Sequence, residues 1–234
     1  MLFTAIFLLL LANFATLTHA TTRSPQTSNR NATRSGKVKT LLLLAYGGED
    51  MEIFITADVL TKTKEFDVTV AGVTGPEMVI TGADVRCIPD QSLDSAMQKG
   101  PYDLIVLPGG LYGAPVLVAS DKVGGFVRQH VARGGVVAAI CGGNWALMKY
   151  GVFKGKRITS FPYFRMLMRQ FDVRKEWKIV DEDRVLVDGK LISSQGPATT
   201  AEFSFAIVEY FLGKPHAELL ANFFLFKNDL FSLS

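Results

Sequence analysis

Val136-Val137-Ala138-Ala139-Ile140-Cys141-Gly142-Gly143-Asn144-Trp145-Ala146-Leu147 (VVAAICGGNWAL) is the stretch from which the rest of the chain is read. Five small or β-branched apolar residues run into Cys141, two glycines follow, and an amphipathic stretch then continues to Tyr150. An apolar run of this length that stops at glycines predicts a buried strand, a tight turn and a helix start. A cysteine at such a turn is lifted out of the sheet, and the unpaired N–H groups and dipole of the next helix favour its thiolate. Gly142 and Gly143 keep side chains off the approach to the sulfur. The residues alone leave two roles open: a reactive thiol, or a cysteine packed as a small hydrophobe.

Working outward, Lys37 to Ala45 (KVKTLLLLA) predicts a strand that is wholly apolar from Leu41, as in a parallel sheet covered on both faces. Tyr46-Gly47-Gly48 turns the chain. A helix then opens with Glu49 and Asp50 in its first turn, where acids are favoured, and Met51, Ile53, Phe54, Ala57, Val59 and Leu60 give it a buried side. Phe66 to Gly72 completes a right-handed βαβ unit. Glu77 to Pro89 predicts a β-rich excursion carrying Cys87, and Asp103 to Leu107 the next central strand, ending in Pro108-Gly109-Gly110. Helices are predicted at Ala114 to Ala119, Lys122 to Ala132, Tyr163 to Phe171, Thr199 to Leu212 and Pro215 to Leu225. A short strand is predicted at Arg157 to Ser160, and Asp188-Gly189 marks a hairpin between Val185 to Val187 and Leu191 to Ser193. This alternation predicts a doubly wound α/β sheet with its ligand crevice at the carboxyl ends of the strands. Gly47-Gly48, Gly109-Gly110 and Cys141-Gly142 all fall at such ends. The first βα turn should carry Glu52 to the same rim, where a neighbouring thiolate and desolvation would raise its pKa and keep it protonated.

Composition narrows the function classes. The chain has 234 residues, 48% of them hydrophobic, enough for one sizeable core. Met1 to Ala20 has an apolar run from Leu2 to Leu17 and then Thr18-His19-Ala20, the pattern of a secretory signal, although no basic residue precedes the run. It is too short and too early for a spanning helix, so no membrane span is expected in the mature chain. The arm after it, residues 21–37, is polar, basic and free of acids, and is expected to be disordered. Asn31-Ala32-Thr33 is a glycosylation sequon, usable only on the secretory route. The leader points to the secretory pathway or outside the cell, while the Arg- and Ser-rich, acid-poor start keeps a mitochondrial address open. Arg23, Arg30, Arg34, Lys37 and Lys39 account for the basic balance: removing these five from the 25 basic residues leaves 20 against 22 acidic ones. Nucleic-acid binding by the folded body is therefore not expected. Cys87 and Cys141 are the only cysteines and His19, His130 and His216 are scattered, so no metal site is expected. The two cysteines could pair in an oxidising compartment, whereas a redox-active thiol fits a reducing one better.

LLLLAYGGEDME, DVTVAG, GPYDLIVLPGG, AAICGG, SSQGPAT and EFSFAIVEYFLGK together resemble the DJ-one/PfpI superfamily, on its DJ-one branch, in order and with nearly the family's spacing. The resemblance spans 38–229, leaving 230–234 as a tail. It implies a flavodoxin-like three-layer α/β sandwich with a mostly parallel central sheet, of the class I glutamine amidotransferase-like kind, in a homodimer and without a cofactor. Cys141 matches the family's elbow cysteine and Glu52 its protonated partner. Gly110 and Gly142 match the positions whose N–H groups face the bound oxygen, and Pro197 matches a residue beside the same pocket. Three departures stand out. Phe161 occupies the place of a histidine common in animal members, removing a general base, though bacterial relatives share the Phe. Ala83 stands where an arginine is expected at the dimer contact, and Gly142 stands where the protease-like branch has histidine, which disfavours proteolysis.

The resemblance implies a cysteine-dependent glyoxalase or protein deglycase, acting on methylglyoxal-type α-oxoaldehydes or their early adducts on amines and thiols and linked to oxidative-stress protection. A cytoplasmic location, as in most of the family, is the further alternative to secretion. The competing function is a non-catalytic redox sensor or chaperone that works through oxidation of Cys141.

Overall fold

A computed structural model of the chain describes residues 36–226. Within them the apolar runs become the middle of a seven-stranded sheet. The expected leader, most of the basic arm, the sequon at Asn31 and the end of the chain after 226 lie outside the described residues. The strand predicted from Lys37 is β1 (Val38–Leu44), and it pairs in parallel with β2 (Phe66–Gly72) over seven residue pairs, from Val38 with Phe66 to Leu44 with Gly72. The helix between them, α1 (Asp50–Lys62), completes the βαβ unit.

The excursion that follows is a small antiparallel hairpin, β3 (Val79–Ile80) with β4 (Arg86–Cys87). It is pinned to the first βα turn: Gly47 N–H donates to Ile80 O at 2.8 Å, Gly82 N–H to Gly48 O at 2.8 Å, and Asp50 accepts from the Thr81 hydroxyl and from Ala83 N–H. Next come β5 (Gln91–Ser92), α2 (Leu93–Gln98), β6 (Leu104–Leu107), α3 (Gly113–Ala119), α4 (Asp121–Ala132) and β7 (Val136–Ile140). The chain continues with α5 (Gly143–Lys149), β8 (Arg157–Ile158), α6 (Pro162–Phe171), β9 (Lys178–Ile179), β10 (Val185–Asp188) and β11 (Leu191–Ser194). A single turn of 3₁₀ helix (Pro197–Thr199) then leads into α7 (Thr200–Leu212) and α8 (Lys214–Phe223).

The main sheet runs β10-β11-β7-β6-β1-β2-β5, parallel throughout except for the antiparallel pair β10 and β11. Because successive strand side chains point to opposite faces, Leu42 and Leu44 enter one core with Ile53, Leu60, Phe203 and Ile207, and Leu41 and Leu43 enter the other with Leu93, Val123, Val127 and Leu147. Helices α1, α7 and α8 cover the first face, and α2, α4 and α5 the second. This is the three-layer, mostly parallel α/β arrangement expected from the sequence. The chain leaves β1 in one direction to reach β2 and returns on its other side as β6, so β1, β6 and β7 are neighbours and their carboxyl ends flank the switch point of the sheet.

Three local readings need correction. Met51 and Phe54 do not belong to the buried side of α1: they are 46% and 39% exposed, and that side is made by Glu52, Ile53, Thr56, Val59 and Leu60. Helical spacing explains the replacement, because Glu52 and Thr56 are i and i+4 and lie on the same buried side of the helix. The hairpin turn is shifted by one residue. Asp188 pairs with Leu191, so Gly189-Lys190 forms the loop, with Gly189 at φ +68°, while Asp188 is taken by Lys156 Nζ at 2.8 Å and Arg157 N–H at 2.9 Å. Finally, α2, β5 and β9 were not foreseen. The strands are two residues long, too short to carry a period.

Candidate active site

Three small-residue turns meet at the carboxyl ends of β1, β6 and β7, so closely that side chains are excluded between them. A Cβ on Gly109 would lie 2.5 Å from Gly142 N and 3.2 Å from Cys141 Sγ, and one on Gly110 would lie 2.4 Å from Gly47 O and 2.7 Å from Glu49 N. Gly110 has φ +102°, a conformation that glycine adopts without penalty. A Cβ on Gly142 would fall 2.3 Å from Ala114 Cβ and 2.8 Å from the Phe164 ring, which leaves no room for the histidine of the protease-like branch.

Cys141 follows β7 directly and has φ +56°, a left-handed conformation that a residue with a side chain holds only when its surroundings impose it. Its N–H donates to Ser194 O on β11 at 3.0 Å. The backbone N–H groups of Gly110 and Gly142 lie near enough to the sulfur to favour its ionised form. The residue is only 4% exposed. Burial is the largest influence on the thiol and pushes its pKa up, and a charged Glu52 pushes it further. The thiolate favoured by the turn and helix dipole is thus opposed by the depth at which the sulfur sits. Cys141 and Cys87 are both free, so the pairing considered for an oxidising compartment is not formed.

Glu52 is where the first βα turn was expected to bring it, and it is fully buried. Its Oε2 accepts the Gly109 N–H at 2.6 Å, while Glu49 N–H donates to Gly109 O at 3.3 Å, so the start of α1 grips both sides of that residue. Burial raises the Glu52 carboxyl to about 8 against the opposing pull of the Gly109 N–H and the Cys141 side chain, with Glu49 adding a smaller upward push. Near neutral pH the group is mostly an uncharged acid. Oε1 makes no well-formed hydrogen bond, and since Oε2 is an acceptor, the acid proton belongs on Oε1.

Gly196 follows β11 and a Cβ there would come 3.0 Å from the Phe161 ring, so Pro197 and Phe161 share this rim. Phe161 is 40% exposed and offers no titratable nitrogen. The sequence reading missed three polar residues around Cys141. Ser160 Oγ donates to Cys141 O at 2.6 Å, Asn144 Nδ2 donates to Ala139 O and Ser194 O at 3.1 Å each, and Thr159 N–H reaches Ser193 Oγ at 3.2 Å, holding the Ser160 segment along β11. Asn144 was visible in the quoted stretch, and a polar residue just after a buried strand was the available signal. Among the described residues no cluster of three His, Cys, Asp or Glu side chains could hold a metal ion, and no helix is long and apolar enough to cross a membrane.

A parallel α/β sheet that lifts a cysteine on a strained turn at its switch point, beside a buried acid, defines a cysteine-elbow class of protein. The DJ-1/PfpI family pattern matches residues 38–210. The chain belongs to the DJ-1/PfpI family. It is 41% identical to Protein DJ-1alpha of Drosophila melanogaster, over 77% of this chain and 81% of that one. It is 31% identical to the glutathione-independent glyoxalase DJR-1.2 of Caenorhabditis elegans, over 72% of this chain and 86% of that one. The crystal structure of Drosophila melanogaster DJ-1beta superposes with a TM-score of 0.76 at 38% identity, covering 82% of this chain and 99% of that one.

Proposed function

We propose that the chain is a cysteine-dependent glyoxalase that converts methylglyoxal-type α-oxoaldehydes to 2-hydroxy acids, and that it acts on their early adducts with protein amines or thiols. The observation that carries this reading is the convergence of Cys141, held at φ +56°, with the glycine turns after β1 and β6 and a fully buried Glu52 that accepts the Gly109 N–H. The name of the nematode relative supports the same direction.

The chemistry balances without an external oxidant. The Cys141 thiol loses its proton to solvent and its sulfur attacks the aldehyde carbon, forming a C–S bond, while the aldehyde oxygen takes up a proton supplied by Glu52 and the N–H groups of Gly110 and Gly142 stabilise its developing charge. Glu52, now a carboxylate, removes the proton from that carbon and returns it to the neighbouring carbonyl carbon, while the proton on the former aldehyde oxygen passes to the neighbouring oxygen. One carbon is oxidised and the other reduced, which leaves a 2-hydroxyacyl thioester on the sulfur. Water hydrolyses it to the hydroxy acid and regenerates the thiol, and Glu52 regains its proton from solvent. A homodimer like that of the family belongs to this reading.

Phe161 favours a second reading. Without a ring nitrogen at the rim, turnover lacks one general base, while the two N–H groups and the acid would equally hold the added oxygens of a sulfinate formed by peroxide. One experiment separates the two. The full-length chain and Cys141→Ala are given methylglyoxal without glutathione and lactate is measured, and parallel samples are titrated with peroxide and weighed intact. Lactate from the wild type alone supports the glyoxalase. No lactate, with a gain of two oxygens confined to Cys141, supports the sensor. Lactate at the wild-type rate from Cys141→Ala overturns the glyoxalase reading.

A further inference from the structure

We infer that Ser160 is a positioning residue for the proposed reaction: by holding the carbonyl of Cys141 it aims the N–H of Gly142 at the reacting oxygen. The two groups belong to one peptide unit. That unit is planar and trans, so its C=O and N–H point in opposite directions, and fixing one fixes the other.

The competition for donors shows why Ser160 matters most. Cys141 O accepts from the Ser160 hydroxyl at 2.6 Å, from Asn144 N–H at 3.2 Å and from the Asn144 side chain at 3.4 Å. The Asn144 amide nitrogen has two hydrogens and faces three carbonyls, and those of Ala139 and Ser194 are nearer at 3.1 Å. Its side chain therefore braces β7 against β11 more than it holds Cys141 O. The Ser160 hydroxyl is the short, directed contact, and it is fully buried, so no water can replace it freely.

The inference rests on the proposed chemistry at Cys141, and its test separates the two. Full-length wild type, Ser160→Ala and Ser160→Thr are compared in two ways: the pH dependence of Cys141 alkylation by iodoacetamide, read on the Cys141 peptide, and kcat and KM for methylglyoxal. Glu52, with Glu49 behind it, is the titrating neighbour and is intact in all three. Ser160→Ala should move the Cys141 titration up by about one pH unit and lower kcat roughly tenfold or more, less than the ~10²–10³ for outright loss of an oxyanion donor. KM should change by no more than about twofold, as expected when only the transition state loses a contact. Ser160→Thr, which restores the hydroxyl, should recover both. A purely structural serine would lower stability and leave the titration and kcat of the folded protein at wild-type values, and that result overturns the inference, as does a Thr variant no better than Ala. If the wild type makes no lactate, the proposed function fails while the alkylation titration still decides the role of Ser160. Should Ser160→Ala not fold, Ser160→Cys kept reduced, a weak donor of similar size, takes its place under the same criteria.

Discussion

Glu52 and Gly142 illustrate how far single residues can be read. A glutamate in a first helical turn is ordinarily a solvated charge, and only the family resemblance together with the turn-by-turn topology pointed it at Cys141. The structure buries it completely and closes one of its oxygens on Gly109. Ser160 and Asn144 were not legible as site residues, because their partners are fixed by tertiary contacts. The Ser160 hydroxyl meets a backbone carbonyl 19 positions away, and no local spacing records that. Gly142 is constrained by packing more than by conformation, since Ala114 and Phe164 occupy the space of its missing side chain. Gly142→Ala should therefore destabilise the fold by about 1–3 kcal/mol, the usual cost of overpacking a filled core. Denaturant unfolding of the full-length chain measures this, and an unchanged midpoint would mean that α3 and α6 yield without cost.

At the scale of elements, the long apolar strands and the helices between them were legible because burial on both faces writes itself as uninterrupted hydrophobic sequence. The two-residue strands were not, and the hairpin slipped by one residue because Asp188 serves Lys156 and Arg157 instead of the turn. The far end of β7 holds a pH-sensitive contact with α4. His130 is fully buried, with Nε2 donating to Val136 O at 2.8 Å and Nδ1 accepting from Arg133 at 3.1 Å. Burial holds this imidazole below its ordinary value of 6.5, with Arg133 and Lys190 lowering it further and the Val136 contact and Asp103 opposing. The unfolded chain therefore takes up a proton before the folded one. Stability from this group is complete above about pH 6.5 and is lost as the pH falls below it. Because Glu52, raised to about 8, stabilises the fold as the pH falls through the same window, His130 is read as a difference: between pH 7 and pH 5 the unfolding midpoint of the wild type should fall relative to that of His130→Gln. Asp188, held below its ordinary 3.8 by Lys156, acts only in a lower window and does not confuse the comparison.

For the molecule as a whole, the site exists because three consecutive neighbours in the sheet, β1, β6 and β7, end in small residues at the same edge. The order of strands in the chain let that convergence be anticipated; the depth of the sulfur did not follow from it. Burial changes the account from a freely ionised thiolate to a buried thiol beside a buried carboxyl, whose protonations are coupled. The central claim is that the carboxyl beside the sulfur is an uncharged acid when the protein works. The most direct test is the pH dependence of kcat/KM for methylglyoxal, which reports groups of the free enzyme. With Glu52 raised to about 8, kcat/KM of the wild type should fall above about pH 8, and Glu52→Gln should be slower by roughly 10²-fold or more and lack that decline. A wild-type profile that climbs steadily through this range, or a decline that persists unchanged in Glu52→Gln, would contradict it.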